Sequence, residues 1–326
     1  MDRITVGQAI NLALHDAMQF DSSVIMLGED VADPEGGGVM GVTRNLSTTF
    51  GDNRVRSTPI AEQAIIGAGV GAALAGLRPV TEIMLMNFTT VAMDMIVNHA
   101  AKLRYMSGGQ TGVPLTIRTM TGAGAGTAGQ HSDYLEAWFA HVAGMKVVTF
   151  STPADAYSLL LGAIFDNDPV LFIENITDYG TSGPAPERGK VARLGEAKVI
   201  ADGKDVTLIS YGAIMKTVLK ARQALAKEGI DAQVIDLRTI APFDAQTLID
   251  NVSKTGRAVI IHEAVTEFGV GAEIAALLSE RLHGKLKAPV RRIGSNFSAV
   301  PFSKVLEQAY VPSAGSIQEV VKSLMG

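Results

Sequence analysis

The sequence contains no cysteine in 326 residues. That excludes disulfides, thiolate metal sites and a cysteine nucleophile, and it fits a reducing compartment. Positive charge is not concentrated anywhere. The formal net charge is -5, and with no basic stripe or polybasic tail, neither nucleic acid nor an anionic membrane is an expected partner. Apolar runs are broken by Gly, Asn or charge well before the ~18 residues a membrane-spanning helix needs. The start, Met1-Asp2-Arg3-Ile4, is not followed by an apolar run with a small-residue cleavage site, so no signal peptide is expected and the expected location is cytoplasmic. Hydrophobic residues, by contrast, make up 47% of the chain and charged residues 19%. A chain of this length has room for two cores, and so much apolar surface also suits extensive subunit contact.

Several chemistries lack their motifs. No Gly-x-Gly-x-x-Gly opens a helix after the first strand with an acid roughly 20 residues on. There is no P-loop, no Gly-x-Ser-x-Gly elbow and no His-Glu-x-x-His. Gly67, Gly69 and Gly71 fall inside a helical pattern, where close helix packing explains them better than phosphate binding.

The periodicity alternates between short β-rich runs and helical runs. Thr5 with Gln8 forms a capping box, and Ile10, Leu14 and Met18 follow on one helical face. Strands are expected at 24–27, 80–84, 115–118, 146–149 and 170–174, with helices at 62–75, 89–107 and 155–165. A stretch with Gly180, Gly183, Pro184, Pro186 and Gly189 reads as a linker. Beyond it strands are expected at 206–210, 232–236, 258–261 and 290–293, with helices at 215–227, 245–254 and 272–282. Ser316 with Glu319 is a second capping-box pair. Strands separated by helices of this length imply parallel sheets. The expected architecture is α/β, two parallel-sheet domains at 1–180 and 205–326 joined by 181–204.

Three features could carry chemistry. In Thr58-Pro59-Ile60-Ala61-Glu62-Gln63, Glu62 falls in a first helical turn; it is either a carboxylate favoured there by the helix dipole or a functional acid. The loop from Met120 to Asp133 is rich in small residues and carries His131. It follows a strand, where α/β proteins bind ligands, so His131 is either a helix cap or a group that moves or holds a proton near neutral pH. Asp166-Asn167-Asp168-Pro169 is either a plain turn or an oxygen-rich site for a hard cation. His262, at a strand end beside Glu263, has no motif of its own.

These motifs, with Gly76-Leu77-Arg78-Pro79, Ala100-Ala101-Lys102, Tyr105-Met106-Ser107-Gly108-Gly109, Gln130-His131-Ser132 and Gly144-Met145-Lys146-Val147-Val148, resemble a transketolase-like pyrimidine-binding domain. His262-Glu263 and Gly269-Val270-Gly271-Ala272-Glu273-Ile274 are similar to a transketolase-type C-terminal domain. Over nearly its whole length the chain resembles the beta subunit of the thiamine-diphosphate-dependent decarboxylase component of 2-oxoacid dehydrogenase complexes, of pyruvate, branched-chain 2-oxoacid or acetoin type. The resemblance implies an oxidoreductase that decarboxylates a 2-oxoacid or cleaves acetoin and passes the acyl group to lipoyl groups. It implies that Glu62 hydrogen-bonds the aminopyrimidine nitrogen of thiamine diphosphate, that Phe88 lies against that ring with Ile60 and Met84 nearby, and that His131 is the active-site histidine. Oxygens of Leu115, Ala163, Ile164, Asp166 and Asp168, mainly backbone carbonyls, would hold a structural potassium ion. Asp168 stands where the family often has Asn, so a carbonyl role alone carries over. The chain lacks the Gly-Asp-Gly motif for Mg²⁺ and diphosphate, which the resemblance assigns to an alpha subunit in a heterotetramer of two alpha and two beta chains, with a lipoyl-bearing acyltransferase beyond.

Two departures bear on the substrate. Gly294-Ser295-Asn296-Phe297-Ser298-Ala299-Val300-Pro301 replaces a proline-rich stretch that could shape docking of the acyltransferase core. The run from Gly36 to Thr43 is closer to acetoin-cleaving members, whereas Pro59-Ile60 and the run from Met106 to Gly109 are closer to pyruvate members. The competing readings are half of a split transketolase-like enzyme and a non-catalytic scaffold that binds an alpha subunit.

Overall fold

A computed structural model describes residues 3–325, so Met1 and Asp2 of the start read above lie outside the described residues. By spatial contacts the chain divides into two units. One comprises the chain up to Thr121 together with Trp138–Leu194; the other comprises Gly122–Ala137 together with everything from Gly195 onward.

In the first unit, parallel strands run side by side in the order Lys146–Thr149, Val170–Asn175, Thr116–Thr121, Arg78–Leu85, Val24–Glu29, Val55–Thr58. Every residue of Thr116–Thr121 and Val170–Asn175 is buried, as expected of strands covered on both faces. The helix Val6–Phe20 opens with the Thr5–Gln8 capping box in place. Its Ile10, Leu14 and Met18 are buried in one core with Leu160 and Ile164 of the helix Pro153–Ile164.

The second unit has strands in the order Arg291–Ser295, Ala258–Val265, Val206–Ser210, Ala232–Asp236, Lys198–Ala201. The neighbours are parallel except Lys198–Ala201, which runs antiparallel at one edge. The helices Met215–Lys227 and Ala314–Ser323 supply Val218, Ala221, Ile317 and Val321 to its core. The two-sheet α/β expectation therefore holds, with one antiparallel edge added.

Three local expectations are corrected. The helix expected over 89–107 is broken into a 3-10 turn at Met86–Thr90, a π-helix at Met95–Ala100 and a short α-helix at Leu103–Met106. The hydroxyls of Thr89 and Thr90 donate to the carbonyls of Met86 and Asn87 and so compete with helical hydrogen bonding. The C-terminal capping box is Ser313 with Ser316, three residues ahead of the pair read from the sequence. The stretch 181–204 contains Ser182–Pro184, paired with Arg3–Thr5, and Lys198–Ala201 of the second sheet.

Candidate functional site

In α/β sheets, ligands gather at the carboxyl ends of parallel strands, and the unexplained charges of the first unit lie there. The strand Val24–Glu29 ends in Glu29, which Asp30 follows in the left-handed conformation at φ 56°. The lead-in Pro59-Ile60-Ala61 then delivers Glu62 as the first residue of the helix Glu62–Leu74, and no side chain caps that helix. Burial raises the Glu29 carboxyl above the usual range, and the negative charges of Asp30 and Glu62 raise it further. Glu62 is thus half-buried beside other carboxylates, an arrangement that the helix dipole alone does not require.

Close packing sets where this helix sits. A Cβ on Gly69 would stand 2.7 Å from Thr81 Cγ2 and 3.0 Å from Leu115 Cδ1. The packing reading holds at Gly69. Gly71 faces open space and Gly67 has ordinary contact with Met95. Ala61, Gln63, Ala64, Gly67, Ala68, Val91 and Met95 line an open, largely apolar groove on the helix. Ile60 beside it is 73% exposed. Met84 and Phe88 are both half-buried, Met84 in the strand Arg78–Leu85 and Phe88 in the 3-10 turn after it.

Met84 also lines a small cleft with Gly38, Val39, Met40, Glu82 and Arg118. Its floor is an ionic network the sequence reading missed. Arg118, 2% exposed, donates through Nε and Nη2 to Glu174 at 2.7 and 2.9 Å and through Nη1 to Glu82 at 2.6 Å. The Tyr179 hydroxyl donates to Glu174 at 2.7 Å. Burial opposes charge on Arg118, but Glu174 and Glu82 more than offset it and hold the guanidinium protonated. Burial raises the Glu82 carboxyl, and Arg118 opposes that rise. An arginine within the β-rich run Thr116–Thr121 was the signal available.

The turn at 166–168 is crowded with cations. Arg78 Nη1 donates to the carbonyls of Ile164 at 3.3 Å and Asp166 at 2.9 Å. Lys146 Nζ pairs with Asp166 at 2.7 Å and with Asp168 at 3.4 Å, and Arg104 Nε pairs with Asp168. The Leu115 carbonyl accepts from Val170 N–H, and that of Ala163 from Asp166 N–H. Two of the five expected oxygens thus converge on one cationic nitrogen, and each carbonyl keeps a second lone pair. Among the described residues, no group of three or more His, Cys, Asp or Glu could hold a metal.

His131 belongs to the second contact unit. It sits in the short helix Gly129–Ser132 and is half-buried. The loop before it is fixed by buried carboxylates: Ala123 N–H donates to Glu263 Oε1 at 2.7 Å, and Gly124 and Gly126 N–H donate to Glu307 Oε1 at 2.5 and 3.2 Å. Deeper in the same unit, Tyr211 donates to the wholly buried Glu136 at 2.7 Å. Burial raises Glu136, and the bond from Tyr211 partly opposes it. Tyr211 also stacks on His262 at 6.1 Å between centroids. Trp138, in the short helix Glu136–Ala140, is 50% exposed.

Comparison with known proteins also finds two parts, the first of which includes Gly122–Ala137 of the second contact unit. Residues 2–181 match the family described as transketolase, pyrimidine binding domain, and residues 195–317 match transketolase, C-terminal domain. The chain is 43% identical to the acetoin:2,6-dichlorophenolindophenol oxidoreductase subunit beta of Cupriavidus necator, covering 99% of this chain and 98% of that one. It is 41% identical to the pyruvate dehydrogenase E1 component subunit beta of Staphylococcus epidermidis, covering 100% and 99%. Among solved structures, one titled split gene transketolase, inactive beta4 tetramer, superposes with a TM-score of 0.79 over 99% of this chain and 98% of that one; at 21% identity that likeness speaks for the fold alone.

Proposed function

We propose a function from a plain premise: the chain belongs to the beta-subunit family that joins a transketolase pyrimidine-binding domain to a transketolase C-terminal domain. It is the beta subunit of a thiamine-diphosphate-dependent dehydrogenase of the 2-oxoacid and acetoin type, and its partner is an alpha subunit. The observation that carries the site assignment is Glu62, half-buried at the carboxyl edge of a parallel sheet beside Glu29 and Asp30.

The residues fit one end of the cofactor. Glu62 would accept from or donate to the aminopyrimidine nitrogen, with Phe88 against the ring and Met84 and Ile60 as its apolar border. The exposure of Ile60 suits a half-site that a second chain completes. When bound, the cofactor supplies an electron sink for loss of carbon dioxide or cleavage of a carbon–carbon bond. The protein's share is to hold and exchange one proton at Glu62 and to keep the ring in place. Mg²⁺ and the diphosphate fall to the alpha subunit in a heterotetramer of two alpha and two beta chains. Carbonyls of Leu115, Ala163, Ile164, Asp166 and Asp168 would take a potassium ion; the convergence of two of them on Arg78 Nη1 supports a cationic site, and Arg78 supplies part of the charge itself. His131 would serve transfer of the acyl group to a lipoyl domain on the acyltransferase.

The test reconstitutes the chain with its alpha subunit and offers pyruvate, branched-chain 2-oxoacids and acetoin in turn. Turnover is read with 2,6-dichlorophenolindophenol and, separately, as reductive acylation of a lipoyl domain. His131→Ala should lower the second reading by about 10²–10⁴-fold, the usual worth of a positioned acid–base group, and the first much less. Equal losses would move His131 to the earlier step. No turnover with any of these substrates, together with two-carbon transfer between sugar phosphates, would replace the whole reading by a split transketolase.

A further inference from the structure

We infer that Glu307 and Glu263 are positioning residues whose carboxylates clamp the glycine-rich loop and so aim His131. The inference rests on the reading of His131 as the acyl-transfer residue. Gly122, Gly124 and Gly126 have φ of 112°, 113° and 71°, and Ala128 has φ 60°. Such a backbone has many alternative paths and no bulky side chains to select one. Selection comes from outside the loop. Glu307 is 2% exposed and Glu263 7%. Three backbone N–H groups of the loop donate to them, two converging on Glu307 Oε1.

A buried carboxylate is costly unless its oxygens accept hydrogen bonds, and charge-assisted bonds are the strong ones. Any other path of the loop would leave Glu307 Oε1 buried without the N–H groups of Gly124 and Gly126. The native path is therefore favoured by the carboxylates and not by the loop's own sequence. Further contacts extend the hold toward His131. Ala123 packs with Val300 and Tyr310, the Thr127 and Ser132 hydroxyls bond at 2.8 Å, and a Cβ on Gly129 would stand 3.1 Å from Ala299 Cβ. The converging amides form the kind of concavity that elsewhere binds a free anion; here the protein's own side chains fill it.

The test uses the reconstituted alpha–beta enzyme carrying Glu307→Ala, Glu307→Gln, His131→Ala, and the Glu307→Ala/His131→Ala double variant. Hydrogen exchange at the Gly124 and Gly126 amides should speed up by about tenfold or more in Glu307→Ala. It should change less in Glu307→Gln, which keeps its volume and one acceptor oxygen and so guards against a folding failure. His131→Ala should leave that exchange unchanged. Reductive acylation should fall in Glu307→Ala, and the double variant should be no slower than His131→Ala alone, since an unaimed loop has nothing left to lose once the imidazole is gone. Unchanged exchange in both Glu307 variants overturns the clamp. So do additive losses in the double variant, which would mean that Glu307 acts apart from His131. Full acylation by His131→Ala overturns instead the reading of His131 on which this rests, and the exchange data then still decide whether the clamp exists.

Discussion

Lowering the pH from about 7.5 to about 4.5 should remove about 2.5 kcal/mol of stability through His262 alone. The ring is wholly buried. Its Nδ1 lies 3.0 Å from the Ala264 carbonyl, which fixes Nδ1 as the protonated nitrogen of the neutral ring, and Nε2 has no hydrogen-bond partner among the described residues. Three glycines close round it: a Cβ would stand 2.9 Å from Cε1 at Gly269, 2.8 Å from Nε2 at Gly271 and 2.8 Å from Cε1 at Gly294. Tyr211 stacks on one face. Burial pushes the imidazole pKa down from 6.5 to about 4; the bond to Ala264 resists, and the positive charge of Arg292 adds to the depression. The folded chain therefore binds fewer protons than the unfolded chain between those two values, so the contribution is fully present above pH 6.5 and is lost as pH falls toward 4. With one pKa unit worth about 1.4 kcal/mol, the two titration curves differ by about 2.5 kcal/mol over that interval. Carboxylates titrate in the same window, so the measurement is a difference: denaturant unfolding of wild type and His262→Gln at several pH values. Wild type should lose more stability on acidification than the variant. Parallel pH profiles would refute the reasoning.

Four other outcomes follow from the geometry. Glu62→Gln keeps the shape but weakens proton exchange, so turnover should fall about 10²–10⁴-fold while cofactor affinity, measured calorimetrically with the alpha subunit present, falls less; wild-type turnover would remove Glu62 from the mechanism. Gly69→Ala forces a methyl against Thr81 and Leu115, and overpacking of this kind typically costs about 1–3 kcal/mol, which thermal unfolding would register; an unchanged melting temperature would mean the helix shifts freely. Arg118→Met leaves Glu82 and Glu174 buried without their cation, and removing one member of a buried pair costs about 3–5 kcal/mol; a small loss in denaturant unfolding would show that the carboxyls simply take up protons. Replacing potassium by a large organic cation should lower the melting temperature by mass action, and no change after full exchange would leave the turn to Arg78, Arg104 and Lys146 alone.

Much of the fold was readable because each element carries a local signal. The Thr5–Gln8 pair, the apolar face of Ile10, Leu14 and Met18, and the β-rich run at 206–210 each state their structure within a few residues. Glu62 and His131 stand out in the sequence for another reason, as an acid in a first helical turn and a histidine closing a small-residue loop, and their roles remain proposals. What escaped were partnerships across long sequence separations. Nothing near Glu307 announces that its carboxylate accepts from amides 183 and 181 residues earlier, and Arg118 finds Glu82 and Glu174 only once three strands lie side by side. The 3-10 turn at Met86–Thr90 escaped because the back-bonding of its Thr89 and Thr90 hydroxyls is decided by rotamers, which periodicity does not encode.

The segment Gly122–Ala137 groups with the C-terminal unit although it leaves from the first unit's strand. A contiguous fragment starting at Gly195 would therefore not carry the whole second unit. It would lack Glu136, the acceptor of the Tyr211 hydroxyl, and the amides of Ala123, Gly124 and Gly126, leaving Glu263 and Glu307 without those donors. For anyone cutting or grafting this chain, the natural module is not a stretch of sequence: a transplant of the C-terminal sheet has to bring along sixteen residues, Gly122–Ala137, encoded far upstream, and a shuffled gene joined at position 195 would deliver a sheet with several of its polar bonds unmade.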